Sequence, residues 1–285
     1  MQGEAEPHLR AWVDYFRDLG IHDFYRRGEP AHVPATESDA VCLTLNAAGE
    51  APEFSLEDGP ALPLAGASLP APLTLKPISF NELAPLPTIA IPAAGRAAAL
   101  RAIQQEVGDC TRCPLAYAGR RKIVFGDGSP TARLMFVGEG PGAEEDVQRL
   151  PFVGKAGQLL NNMIAAMGLA RSDVYIANIV MCRPPNNRVP EPVEANTCTQ
   201  FLLRQIDVVQ PEVIVALGAT AAMYLLGVKQ SLSSLRGRWH TCRGAKLAVT
   251  YHPAFLLRDP RQKAEAWKDL QMVMGELGLT APPRK

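Results

Sequence analysis

No stretch of the chain approaches the roughly 20 continuous apolar residues that a membrane-spanning helix needs, and no basic segment followed by an apolar core opens the N-terminus. A cytoplasmic protein with no membrane partner is therefore expected. Phosphate-loop residues are missing too: Gly138-Glu139-Gly140-Pro141-Gly142 lacks the GKS or GKT of a nucleoside triphosphate loop. It also lacks the third glycine of a dinucleotide fingerprint, and Pro141 removes an amide that would face a pyrophosphate. Cysteine is sparse, with 6 in 285 residues and no secretion signal, so thiolate ligands and buried thiols are expected in place of a disulfide framework. Net charge is absent as well, since 29 Lys+Arg offset 29 Asp+Glu.

That zero hides a division. Residues 1–95 carry 5 Lys+Arg against 13 Asp+Glu, a net of −8, while residues 96–285 carry 24 against 16, a net of +8. An acidic arm thus precedes a basic body. A body of this sign suits a polyanionic partner, because neutralising phosphates releases counterions, although ordinary enzymes reach the same moderate charge.

The arm itself has two parts. Within residues 1–28, Leu9, Trp12, Val13, Phe16 and Leu19 recur at helical spacing opposite charged residues, which predicts an amphipathic helix that binds a protein partner or docks on its own body. Residues 29–94 hold 11 prolines without sustained periodicity, and read as a largely disordered linker.

In residues 95–285, apolar runs alternate with helical patterns. Leu134–Val137, Val174–Val180, Val213–Leu217 and Leu247–Tyr251 read as buried parallel strands, with helices near 96–108, 155–167, 191–209, 219–226 and 260–277. Such alternation predicts an α/β fold with helices on both faces of a parallel sheet. Ligand sites in these sheets lie at the carboxyl ends of the strands, where Glu139, Asn178, Gly218 and His252 all fall.

Each of these residues also has a plainer reading. Phe152, in Pro151-Phe152-Val153-Gly154, would ordinarily be a core aromatic, but its place between a glycine-rich turn and a helix start suits one wall of a crevice. Asn178 sits in an apolar strand, where a carboxamide is costly unless hydrogen-bonded. Arg183 and Arg188 lie in the proline-rich loop that leaves this strand, and His252-Pro253-Ala254-Phe255-Leu256-Leu257-Arg258 reads as a binding loop with exposed leucines. Four cysteines, Cys110-x2-Cys113 and Cys182-x15-Cys198, can converge on one centre. The wide second spacing fits an iron–sulfur cluster more readily than structural zinc, and both remain open on spacing alone. Cys42 and Cys242 are left as free thiols.

Taken together, Gly138-Glu139-Gly140-Pro141-Gly142-Ala143-Glu144-Glu145-Asp146, Pro151-Phe152-Val153-Gly154, Asn178-x3-Cys182-Arg183-Pro184-Pro185 and His252-Pro253-x3-Leu257-Arg258 resemble the family 4, iron–sulfur uracil-DNA glycosylases. The resemblance covers residues 95–278 and includes all four cysteines; the acidic arm lies outside it. It implies a three-layer α/β/α sandwich around a four-stranded parallel sheet. It also implies a monomer that flips uracil out of single- or double-stranded DNA and hydrolyses the N-glycosidic bond, leaving an abasic site.

The same resemblance assigns Cys110, Cys113, Cys182 and Cys198 to a [4Fe-4S] cluster. Phe152 would stack on the base, Asn178 would read its edge, and His252 would donate to the leaving group. Gly140 takes the place of a water-activating aspartate, so Glu139 is the candidate for orienting water and Glu145 for excluding the thymine methyl. Leu256, Leu257 and Arg258 would press into the duplex, with Arg183 and Arg188 on phosphates. Covalent capture of the product is not expected, because Val189-Pro190-Glu191 stands where trapping relatives carry a basic, His-containing insertion. Two further readings are a glycosylase for another deaminated base and a non-catalytic iron–sulfur DNA-binding module.

Overall fold

A computed structural model describes residues 84–87 and 90–281. The amphipathic helix and nearly all of the linker expected from sequence lie outside these residues. Residues 84–87, read as linker, lie against the body: the Arg243 guanidinium donates to the Ala84 carbonyl and, at 3.0 Å, to that of Pro85. No helix among the described residues is long and apolar enough to cross a membrane.

The apolar runs form strands as their composition dictates. The strands are β1 (Asp127–Gly128), β2 (Leu134–Gly138), β3 (Tyr175–Asn178), β4 (Val213–Leu217), β5 (His240–Cys242) and β6 (Ala245–Thr250). They make one sheet in the order β1-β3-β2-β4-β6-β5. Its central strands β3, β2, β4 and β6 run parallel, and every residue of β2, β3 and β4 is buried, as strands covered on both faces must be.

The expectation of a four-stranded parallel sheet is corrected at its edges. Strands β1 and β5 add antiparallel pairs, giving a mixed sheet of six. Neither edge strand is long enough to show a period of two. The β5–β6 hairpin turns at Arg243 and Gly244, both at positive φ (51° and 80°), the conformation that matches the twist of tight hairpins.

Eight α-helices are described: α1 (Ala93–Val107), α2 (Ala143–Gln148), α3 (Lys155–Ala166), α4 (Pro192–Val209), α5 (Ala219–Leu226), α6 (Leu232–Leu235), α7 (Pro253–Arg258) and α8 (Lys263–Leu277). Alternate strand residues feed two cores. Met135, Val137, Ile214 and Ala216 pack with α1, α4 and α5, whereas Leu134, Phe136, Val213 and Val215 pack with α3 and α8. These are the three layers. Truncating Phe136, which is fully buried, would cost about 3–5 kcal/mol.

Candidate active site

The sheet delivers its polar residues to one rim. Gly138 ends β2 and pairs with Asn178 at the end of β3, while Gly218 follows β4 and donates its amide to the Thr250 carbonyl at 2.9 Å, two residues before His252. A cavity of about 500 Å³ opens there, and Glu139, Gly140, Glu145, Phe152, Asn178, Arg188, His252 and Arg258 all contribute to its lining. Gly218, Arg183, Leu256 and Leu257, also singled out in the sequence, are outside that lining.

Phe152 and His252 meet across 100 residues of chain, their ring centroids 5.5 Å apart and their planes inclined by 35°. Phe152 adopts φ 51°, a left-handed conformation that costs an aromatic residue about 1–2 kcal/mol. Two contacts show why its neighbours are glycines. A Cβ on Gly157 would fall 2.0 Å from the Phe152 carbonyl, and one on Gly138 would fall 2.5 Å from both Phe152 Cζ and Asn178 Oδ1. The aromatic edge and the carboxamide oxygen therefore share the space over Gly138.

Asn178 is 3% exposed and its Oδ1 has no hydrogen-bond partner. The plainer reading, a structural asparagine that satisfies backbone groups, does not account for this oxygen. A buried acceptor left unpaired costs about 1–3 kcal/mol, which a ligand N–H placed opposite it would recover.

His252 caps α7. Its Nδ1 accepts from the Ala254 amide at 3.1 Å, so the neutral ring carries its proton on Nε2. Burial, with the nearby Arg258 charge, lowers its pKa from 6.5 to about 4. At neutral pH the imidazole is an uncharged Nε2–H donor.

Glu145 lines the cavity and is held there by backbone amides. Its Oε1 accepts from the Val153 and Gly154 amides, both at 2.9 Å, and its Oε2 accepts from the Gly142 amide at 3.1 Å. The carboxylate ties the glycine-rich loop to the Phe152 loop and so shapes the wall. Gly140 cannot be exchanged for a larger residue without moving Val180, whose Cγ2 would lie 2.8 Å from the new Cβ.

The expected duplex contacts need one correction. Leu256 is 1% exposed: α7 turns it inward with Pro253, and only Leu257, at 44%, and Arg258 face outward. Arg188 is held by a two-pronged ion pair to Glu194, at 2.7 and 2.8 Å, so its charge anchors the start of α4. Arg183 donates to Asn187 Oδ1 at 2.8 Å and braces its own loop.

The cysteines form a separate centre. Cys110, Cys113, Cys182 and Cys198 line one small cavity with apolar walls from Val107, Ile123 and Phe201. Burial pushes the Cys182 and Cys198 thiols up to about 12. Donors approach the sulfurs: Arg112 Nη1 reaches Cys110 Sγ at 3.3 Å and the Met181 amide reaches Cys198 Sγ at 3.4 Å. Among the described residues no three Cys, His, Asp or Glu side chains converge as ligands of a single ion. Cys242, buried in the sheet, is apart from this group.

Residues that the sequence reading missed brace the rim. Asp269, 4% exposed, accepts from Arg236 at 2.8 Å and from the Thr250 hydroxyl at 2.7 Å, fixing the strand end that leads to His252. Arg171 grips the Phe152 loop by its carbonyls. Neither carries a local sequence signal, because the rim segments they hold lie 19 or more residues away.

The comparisons with known proteins agree with this arrangement. The model of the uracil DNA glycosylase superfamily matches residues 125–271. A type-4 uracil-DNA glycosylase of Thermotoga maritima is 48% identical over 161 residues, covering 55% of this chain and 82% of that protein. Those of Pyrobaculum aerophilum and Archaeoglobus fulgidus are 41% and 40% identical over 184 and 185 residues, covering 62% and 61% of this chain and 93% and 91% of theirs. The chain belongs to the uracil-DNA glycosylase superfamily, in its type-4 branch.

Proposed function

We propose that this chain removes uracil from DNA by hydrolysing its N-glycosidic bond, the activity named in its type-4 relatives. The observation that carries the reading is the convergence of Phe152, the unpaired Asn178 Oδ1 and the neutral His252 on one cavity. Flipping the nucleotide out of a duplex costs a few kcal/mol, and stacking on Phe152 returns about 1–3 kcal/mol. Asn178 Oδ1 accepts from uracil N3–H while its amide nitrogen donates to O4. Cytosine presents the opposite edge and leaves buried groups unpaired, the source of strong discrimination.

As the bond lengthens, negative charge gathers on uracil O2 and the sugar becomes oxocarbenium-like. The His252 Nε2–H donates to O2, a contribution of roughly 3 kcal/mol by the measure of an oxyanion-hole donor. An uncharged donor suits this task because it does not surrender its proton at neutral pH. Water attacks C1′ from the other side, oriented by Glu139. Leu257 and Arg258 hold the gap in the duplex.

Cys110, Cys113, Cys182 and Cys198 would hold a [4Fe-4S] cluster. Four soft donors around a shared apolar cavity support this. Bound there, these four cysteines would staple the segment after α1, the loop after β3 and helix α4 to one another through the cluster. Hydrolysis moves no electrons, so the chemistry rests on the cavity residues.

Release of free base from otherwise identical oligonucleotides tests the proposal. Uracil is expected to be released and hypoxanthine retained. Binding without release of any base would support the non-catalytic module, and preferential release of hypoxanthine would support the other glycosylase.

A further inference from the structure

The segment Pro151–Gly154 is gripped from two sides by opposite charges. Glu145 accepts from the amides of Val153 and Gly154. On the other side Arg171 donates to the two preceding carbonyls, Nη2 to Pro151 O at 2.6 Å and Nη1 to Phe152 O at 3.1 Å. The guanidinium is itself fixed by Asp127 Oδ2 on β1, at 3.2 and 3.3 Å, and by Asn161 Oδ1 on α3, at 3.1 Å. Arg171 does not line the cavity, so its contacts end at the backbone of the wall.

Phe152 has the left-handed φ that a bulky residue leaves unless its surroundings hold it. Gly157 only makes room for that conformation. The contacts that reward it are the ones to Arg171 and Glu145: the guanidinium addresses the peptide units on both sides of the Phe152 Cα, and the carboxylate addresses the two that follow it. A guanidinium is suited to this post: its planar fork serves two carbonyls, a carboxamide and a carboxylate at once, which a lysine ammonium with one nitrogen does not.

From this geometry we propose that Arg171 is a positioning residue for base excision, acting through the backbone of Phe152 to hold the aromatic wall in its stacking orientation. The inference rests on the reading of Phe152 as the surface on which the flipped base stacks. Its loss would slow the chemical step more than it weakens DNA binding, since its donors are taken up by protein acceptors and it does not line the cavity.

The test is a double-mutant cycle on single-turnover release of uracil, with the full chain carrying Arg171→Ala, Phe152→Ala or both, alongside melting curves and duplex affinity. Arg171→Ala alone is expected to slow release by about ten- to a hundredfold, as displacement of a catalytic wall does. In the Phe152→Ala background the same change should alter the rate by no more than about twofold, the limit for effects that share one route. Additive losses, or an Arg171→Ala rate equal to wild type, would overturn the proposal. A Phe152→Ala variant that releases uracil at the wild-type rate would instead overturn the stacking reading itself. Should Arg171→Ala melt below the assay temperature, Arg171→Lys gives the same cycle, with a smaller loss on the wild-type background and none on Phe152→Ala.

Discussion

The His252 imidazole accepts the Ala254 amide on Nδ1 at 3.1 Å, and this one bond commits the opposite nitrogen to donation. The ring lies in the cavity beside Phe152, 5.5 Å between centroids, with the unpaired Asn178 Oδ1 on the same lining. Removing either polar member should therefore strike turnover and spare binding. His252→Ala is expected to lower excision by about 10²–10³-fold, the range for one lost donor to a developing anion. Asn178→Ala should fall comparably, with duplex affinity within a few-fold of wild type in both. Unchanged turnover in either variant would remove that residue from the mechanism.

The pH dependence follows from the same bond. The His252 pKa is lowered from 6.5 to about 4, so the native ring stays neutral where an unfolded chain has begun to take up a proton. Its contribution to stability is complete above pH 6.5 and is lost as pH falls from there toward 4. Side-chain NMR should give a midpoint near 4 for this imidazole, and kcat should show no inflection near 6.5 traceable to it. A native midpoint near 6.5 would show that burial does not control the ring.

Gly138 offers a purely steric prediction. A methyl group there would stand 2.5 Å from both Asn178 Oδ1 and Phe152 Cζ, so Gly138→Ala must push the reading group and the stacking wall apart. Excision should fall by about 10²-fold for a displacement near 1 Å, with the strand pairing intact. Circular dichroism and a melt separate that outcome from loss of the fold; full activity would contradict the packing described.

Glu145 predicts coupled stability and activity. Three backbone amides donate to its carboxylate, and Glu145→Gln sets an NH2 group against at least one of them. Denaturant unfolding should reveal a loss of about 1–3 kcal/mol, together with slower uracil release as the Phe152 loop loosens. A variant that discriminates poorly against thymine at full stability would instead support the methyl-excluding role expected from sequence.

Metal content tests the second centre. Cys182→Ser should yield protein with little iron, without the broad visible absorbance of a cluster, and with a lowered melting temperature. Zinc found in place of iron in wild-type protein prepared without oxygen would contradict the assignment.

The parts of the fold that were legible in the sequence are those where one chemical property runs along the chain. Leu134–Gly138 and Val213–Leu217 are continuous apolar runs, so their burial on both faces could be read directly. Asn178 and His252 stood out because polar residues at the ends of such runs face the ligand side. What stayed hidden depends on partners distant in sequence. The left-handed Phe152, the carbonyl clamp of Arg171 and the brace at Asp269 are tertiary features with no local pattern. Leu256 was misplaced because His252–Arg258 reads as a loop, whereas Pro253 and Leu256, three residues apart, share the buried face of a short helix. Strands β1 and β5 escaped because two and three residues do not establish a period.

The account turns on Asn178 Oδ1 accepting the N3–H of a flipped uracil. Single-turnover release of uracil and of N3-methyluracil from the same oligonucleotide tests this contact directly, because the second base carries a methyl group in place of that hydrogen. Release of the methylated base should be slower by at least about 10²-fold, as expected when a buried acceptor loses its partner and meets a methyl group. Equal rates for the two bases would show that the carboxamide does not read the base.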